Sequence, residues 1–471
     1  MMTPDFGALL PLLIVAGTAI AVMMGVAVRR SHLLSAWIAF LGLAGAFGSL
    51  WEVAPSQVTP LLVIDRYALF FMGLILAAGM AFVLFSYGYF EKTAGDRDEV
   101  YILMLVATLG SLVLVAASHF VSLFLGLELL SVALYGMIAY HHARPRPLEA
   151  GIKYLVLAAL SAAFLLFGVA LLYAAFGSMQ FGDIAAGLAG GLFQRWLVLP
   201  GLALIVTGFG FKLAVVPFHL WTPDVYEGAP APVTAYIATV SKGAMFALLL
   251  RYFYRSGAHD LGPVFLVFSI VAIASMVAGN ILALLQNNVK RILAYSSIAH
   301  LGYLLVAFQA GGDLGPAAVA FYLAAYFVTT MGAFGVVTVV SEGANEADSL
   351  EDYRGLFWRR PALAAVFTAM LLSLAGIPVT AGFIGKFYVI AAGAAAAQWA
   401  LIVILVVTSA IGLYYYLRIV VVMYAPAPEG AAPYPKLAKA GGVALAILTG
   451  LLIWFGVYPG PLLNVIRDAL T

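Results

Sequence analysis

The chain has no cysteine among its 471 residues. That removes disulfides, thiol nucleophiles and the thiolate ligands on which iron–sulfur clusters depend. Charge is nearly as scarce, since Asp, Glu, Lys and Arg together make up 9% of the sequence, against roughly 25% in soluble domains. The 23 basic and 21 acidic residues leave a net charge of +2, so no basic field for nucleic acid is hidden here. Loops long enough to build a soluble domain are missing too. What fills the sequence instead is apolar: 64% of residues are hydrophobic and mean hydropathy is +1.06. A water-soluble fold of this length must coat itself with polar residues. The chain therefore reads as a polytopic integral membrane protein.

A membrane-crossing helix takes about 20 mostly apolar residues. The sequence predicts fourteen, near 8–28, 33–51, 67–88, 100–117, 119–140, 151–176, 196–218, 231–255, 262–282, 289–310, 317–341, 363–397, 400–424 and 439–460. The expected fold class is all-α. Arg29 and Arg30 follow the first apolar run instead of preceding it, which argues against a cleavable signal. Loop Lys and Arg residues set the orientation. With the N-terminus outside, fifteen basic residues fall on the cytoplasmic side, among them Arg29, Arg30, Arg144, Arg146 and Arg291. The opposite side receives five, among them Arg66, Arg251, Arg255 and Arg467. An even number of spans then puts both termini on the outer, periplasmic side.

The sequence repeats itself weakly at an offset of about 167 residues. Ser241-Lys242-Gly243 lies over Thr408-Ser409-Ala410, and Phe167-Gly168-Val169 over Phe334-Gly335-Val336. Tyr135 lies over Tyr303 at an offset of 168. The offset covers five spans, an odd number, so the second copy is expected upside down. The division that follows is 1–98 for spans one to three, 99–258 for a first unit of spans four to eight, 259–425 for an inverted second unit of spans nine to thirteen, and 426–471 for span fourteen. Inverted repeats place transport sites near the midplane, often on interrupted helices. Span seven runs into Val216-Pro217 through Pro223, and span twelve contains Gly376 through Gly382. Proline removes a backbone donor and clashes with the preceding turn, so both segments are expected to be broken. At the shared offset Lys386 lies over His219.

A few ionisable residues lie where lipid should forbid them. At 1.5 Å per residue, Glu128 sits roughly 14 Å into the fifth span, and Lys242 and His300 roughly 16 Å into the eighth and tenth. Lys212 precedes the seventh-span break and Lys386 follows the twelfth. A centred charge costs about 2.5–3.5 kcal/mol, so such residues face the bundle interior and are functional by default. Glu128 can be read as half of a structural ion pair or as a proton site paired with Lys212. In general, burial alone can bring a lysine's pKa to about 5–6, while an adjacent carboxylate pushes it back up. Such a pair, opening and closing, can load and release a proton near neutral pH. His300 and His219 divide between packing and relay roles, and His141–His142 marks the membrane surface.

These residues also carry a family resemblance. Gly210-Phe-Lys212-Leu-Ala-Val-Val-Pro217-Phe-His219-Leu-Trp221-Thr-Pro223-Asp224, the later Ser241-Lys242, Leu125-Gly-Leu-Glu128 and Tyr295-Ser-Ser-Ile-Ala-His300-Leu-Gly-Tyr303 resemble the antiporter-like membrane subunits of proton-pumping NADH:quinone oxidoreductase, respiratory complex I. The likeness covers nearly the whole chain. Lysine at position 386 argues against the M-type group, and the short C-terminal stretch against the L-type with its long lateral helix, which leaves the N-type. The resemblance implies that Glu128 and Lys212 form the pump pair, Lys242 is the central relay and Lys386 the exit-side site. It implies a bacterial inner-membrane protein whose partners are the other complex I membrane subunits. It assigns no cofactor to this chain: NADH, FMN, iron–sulfur clusters and quinone belong to partner subunits. A subunit of a multisubunit cation/proton antiporter, a stand-alone transporter and a scaffold subunit are the competing readings.

Overall fold

In hydrocarbon no water satisfies exposed N–H and C=O groups, so a chain this apolar must close its backbone hydrogen bonds within helices. The computed structural model, which describes residues 6–93, 97–191, 196–258, 261–341, 346–427, 434 and 437–470, does so. The helices are α1 (Leu10–Val28), α2 (His32–Ser49), α3 (Arg66–Phe90), α4 (Glu99–Ala116), α5 (Phe120–Ile138), α6 (Pro145–Phe176), α7 (Phe181–Ala189), α8 (Val198–Leu213), α9 (Trp221–Gly228) and α10 (Ala231–Tyr236). After a π-helical turn at Ile237–Ser241 come α11 (Lys242–Ser256), α12 (Gly262–Leu284), α13 (Val289–Ala310) and α14 (Leu314–Val340). The short α15 (Leu356–Arg359) precedes α16 (Pro361–Ala375), α17 (Ala381–Ala395), α18 (Trp399–Tyr424), α19 (Lys439–Val457) and α20 (Gly460–Leu470).

Among the described residues twelve helices, with α10 to α11 taken as one, are long and apolar enough to cross a membrane. The twelfth expected span is two shorter helices, α16 and α17, and the seventh holds α8 alone, which stops at Leu213, with α9 starting beyond the expected end at 218. Both interruptions thus fall where proline and glycine placed them. The eighth span carries a third irregularity that the sequence reading did not foresee, the π turn directly before Lys242. Three further elements were also unforeseen. A two-stranded antiparallel hairpin, β1 (Ser56–Thr59) and β2 (Leu62–Ile64), connects α2 to α3. The nine-residue α7 and the amphipathic α20 are too short to span.

Helix starts follow side-chain chemistry. Asp65, His119 and Asn288 accept backbone N–H groups of Ala68, Val121 and Arg291 at 2.9, 3.0 and 3.0 Å, satisfying donors that a helix start leaves orphaned. Between helices in lipid the attraction is close packing, since apolar side chains gain nothing by leaving an equally apolar solvent. Gly110 of α4 shows the requirement: a Cβ there would lie 2.6 Å from the backbone nitrogen of Leu130. The bundle is layered. The eighth span, α13 and α14 are almost wholly enclosed, whereas α1, α2, α6, α18 and α19 keep one face outward. Polar side chains on the enclosed helices therefore depend on partners inside the protein.

Candidate functional site

Three buried lysines and a buried histidine, Lys212, Lys242, Lys386 and His300, form the candidate site. Lys212 lies in the last turn of α8. Its Nζ donates to Ser131 Oγ on α5 at 2.7 Å and stands over the Tyr154 ring at 5.3 Å. Lys242, wholly buried, opens α11 just after the π turn. Its Nζ donates to Ser297 Oγ of α13 at 2.7 Å and faces the Tyr226 ring at 5.2 Å. Ser297 is in turn 2.6 Å from the Tyr326 hydroxyl of α14. One turn along α13, His300 holds the Tyr322 hydroxyl at Nδ1 (2.7 Å) and the Tyr416 hydroxyl at Nε2 (3.2 Å). Tyr416 also hydrogen-bonds Ser296. The rings of Tyr326 and Tyr303 lie 5.6 and 5.4 Å from the imidazole.

Lys386 is held by the break of its own span. Its Nζ donates to the carbonyls of Leu374 (3.0 Å) and Ala375 (2.8 Å), the last residues of α16, and to Ser409 Oγ of α18 (2.6 Å). A helix end leaves its final carbonyls without donors and carries a partial negative charge. An ammonium answers both conditions. Gly376 ends α16 with φ +87°, and a Cβ on it would sit 2.7 Å from Lys386 Cδ. The glycine is thus required twice, by the left-handed backbone and by the lysine stem. In the seventh span the Phe211 carbonyl, which also accepts the Ala214 N–H at 3.0 Å, accepts from the Trp221 indole at 2.9 Å, so each break is held by a side chain from just beyond it.

Polar atoms continue between His300 and Lys386. A small cavity of about 10 Å³, roughly one water's requirement, is lined by His300, Tyr322, Tyr326, Thr329, Ser373 and Leu374 among others. Thr329 Oγ1 and Ser373 Oγ are 3.2 Å apart, and Ser373 Oγ accepts the Gly382 N–H at 3.0 Å. The ring of Tyr303 also lies 5.2 Å from Lys386 Nζ.

Among the described residues Glu128 and His219 hydrogen-bond none of the other expected site residues. Glu128 and Lys212 make no ion pair; Ser131, one turn beyond the half-buried Glu128 on α5, stands as the lysine's hydrogen-bond partner. His219 is buried in the α8–α9 break, hydrogen-bonded to none of the lysines, its Nδ1 among the buried polar atoms without a partner. The serines and tyrosines that link the site escaped notice. Ser131 and Ser297 each lie three residues from a flagged ionisable group, which was the available signal.

The two bundle ends are held by ion pairs. At one, Asp65 receives two bonds from Arg251 (2.8 and 2.6 Å) and one from Arg255 (3.1 Å). Burial pushes the Asp65 carboxyl up, but the Arg251 guanidinium outweighs it and holds the group below its usual range. At the other end Asp224 joins Lys153 of α6 (2.8 Å) to Arg291 of α13 (2.9 Å), and buried Lys290 pairs with Glu346.

Residues 117–412 match the family described as NADH:quinone oxidoreductase/Mrp antiporter, transmembrane. The chain belongs to this family. It is 52% identical to the NADH-quinone oxidoreductase subunit N of Ectopseudomonas mendocina, over 98% of this chain and 96% of that one. Among solved structures it resembles a chain of respiratory complex I from Thermus thermophilus at 35% identity and TM-score 0.85, covering 97% of this chain and 99% of that one. It also resembles a chain of the membrane-bound sulfane sulfur reductase, an archaeal respiratory membrane complex, at 25% identity and TM-score 0.86, over 98% and 96%. A chain of the Mrp complex from Dietzia sp. shares the fold, with TM-score 0.87 at 20% identity over 99% and 97%. The three structural likenesses each cover at least 97% of this chain.

Proposed function

We propose that this chain is the N-type membrane subunit of a proton-pumping NADH:quinone oxidoreductase, and that it moves protons along Lys212, Lys242, His300 and Lys386. The observation that carries this reading is the set of enclosed polar groups, bonded from Lys242 through Ser297 to Tyr326 and gathered again around His300 and Lys386. Three lysines and a histidine are buried on separate helices, each ending on a hydroxyl or carbonyl that another polar group also touches. Buried ionisable groups in lipid are costly and persist where a pathway needs them.

The chemistry follows from the contacts. A lysine held only by neutral oxygens can lose its proton without leaving a carboxylate unpaired. Ser297 and Tyr326 hydroxyls both donate and accept, so they can pass a proton from Lys242 toward the His300 neighbourhood. His300, contacted at both ring nitrogens, can exchange a proton on one side while taking another on the other. A water in the cavity beside Ser373 would complete the step to Lys386. Glu128 modulates the start of the line through its charge, approaching Lys212 or withdrawing as α5 and α8 shift. His219 lies outside this route.

The two five-helix units, residues 99–258 and 259–425, are proposed to be inverted copies, with 1–98 and 426–471 as flanking spans. The loop charges support both termini on the periplasmic side of a bacterial inner membrane. NADH, flavin, iron–sulfur clusters and the quinone site are assigned to partner subunits; without cysteine, this chain has no thiolate to hold a cluster. Tagging the chain and purifying it from membranes tests the reading. Co-purification with NADH:quinone oxidoreductase activity is expected; a solitary chain catalysing cation/proton exchange in liposomes would overturn it.

A further inference from the structure

Two contiguous cavities open where α3 begins and α11 ends, remote from the lysine line. The first, about 680 Å³, is an apolar groove between α2, α3, α14 and α19, with α20 across its end. The second, about 850 Å³, is lined by more charged residues and lies between the starts of α3 and α14, the end of α11, and α20. Arg66 and Ala469 line both, so groove and pocket join. Four guanidiniums, Arg66, Arg251, Arg255 and Arg467, line this pocket against two carboxylates, Asp65 and Asp313, while a third carboxylate, Asp468, lines the adjoining groove. Asp65 is already shared by Arg251 and Arg255. Among the described residues neither Arg66 nor Arg467 has a hydrogen-bond or ion-pair partner. Deeper in, the buried Nε of Arg251 is also unpartnered. Asp313 lies exposed at the rim.

We propose that this junction binds one anionic phospholipid, its acyl chains in the apolar groove and its phosphate between Arg66 and Arg467. An apolar trough that narrows into surplus positive charge at a membrane surface matches a molecule with a long hydrocarbon body and a negative head. Guanidinium forks fit phosphate oxygens in pairs. A zwitterionic head would bring a cation into a pocket whose carboxylates are either engaged or at the rim. The amphipathic α20 buries Ile466 and turns Arg467 outward, so the lipid would tether this helix, and with it α19, to the bundle.

The test uses the intact complex, purified in mild detergent and washed of loose lipid, with retained phospholipids counted by mass spectrometry. The doubly substituted Arg66→Gln, Arg467→Gln complex is expected to lose one anionic phospholipid per complex, binding it about twenty-five-fold more weakly at a factor of about five per arginine. Ala77→Trp, filling the groove from an exposed position with every charge intact, should lose the same molecule. Inorganic phosphate at millimolar concentration should not displace it, because the hydrocarbon contributes. Should the variants fail to assemble, wild-type complex decides alone: spin-labelled phosphatidylglycerol should be immobilised in strong preference to phosphatidylcholine. Equal retention by the variants, equal immobilisation of the two lipids, displacement by free phosphate, or a partner subunit's helix occupying the groove would each overturn the proposal.

Discussion

Replacing Lys386 separates its two roles, sealing a helix end and carrying a proton. The ammonium makes three hydrogen bonds of 2.6–3.0 Å, two of them to the terminal carbonyls of α16. Lys386→Ala leaves the Leu374 and Ala375 carbonyls short of a donor. A buried acceptor so stranded costs about 1–3 kcal/mol, so the break loses roughly 2–6 kcal/mol at most. Ser409, already 3.5 Å from the Ala375 carbonyl, recovers part of that. The loss loosens the α16–α17 junction without dissolving a bundle of this size. Lys386→Arg keeps a cation with several donors at the same helix end, so it should recover most of the lost stability. Guanidinium, however, stays protonated with a pKa above about 12 and cannot release its proton. Both variants are to be assembled into the complex at matched levels and compared for thermal stability and for protons pumped per NADH oxidised. The expected pattern is a split: Arg restores stability toward wild type, yet pumping stays nearly as low as in the Ala variant. Full pumping by Lys386→Arg would refute the reasoning and leave Lys386 a structural anchor.

The other outcomes follow from single contacts. Glu128→Ala and Lys212→Ala should each reduce proton pumping severalfold with assembly retained, and Glu128→Asp should keep more activity than Glu128→Ala; pumping assays in inverted vesicles check this. Asp65→Asn leaves the buried Arg251 without its carboxylate, which costs about 3 kcal/mol at the low end for a broken buried pair, and should show as a lower unfolding temperature. Because Arg251 holds the folded carboxyl below its usual range, the wild-type contribution is present above the unfolded pKa near 4 and is lost only as pH falls through the lower folded value. Thermal melts from pH 7 down to 3 should therefore show the gap between wild type and Asp65→Asn holding down to about pH 4 and shrinking below it. The cysteine-free background allows topology mapping: a cysteine at Lys92 should label from the cytoplasm and one at Asp313 from the outside.

The sequence carried the membrane architecture because its cause is one-dimensional. Length and hydropathy define a span, and Pro217 and Gly376 announce the breaks before any packing is known. The lysines and His300 were visible for a related reason, since a charge inside an apolar run has no neutral explanation. Partners were not visible, because they are set by helix rotation. Glu128 and Lys212 lie on helices that do contact, yet the facing residue is Ser131, one turn away. Likewise Tyr416 reaches His300 from 116 residues along the chain, a pairing that no local pattern encodes. The π turn before Lys242 was hidden because its residues, Ile237–Ser241, read as an ordinary apolar helix. The hairpin and α20 escaped because a search for spans discards segments too short to cross.

The central claim is that protons cross the middle of the bundle through Lys242. It is wholly buried, and Ser297 is its hydrogen-bond acceptor. The decisive measurement is the number of protons pumped per NADH oxidised by complex carrying Lys242→Ala, assembled normally and reconstituted in sealed liposomes. A clear drop in that ratio, with the other subunits still able to oxidise NADH, is the result expected. An unchanged ratio would show that protons do not pass this way.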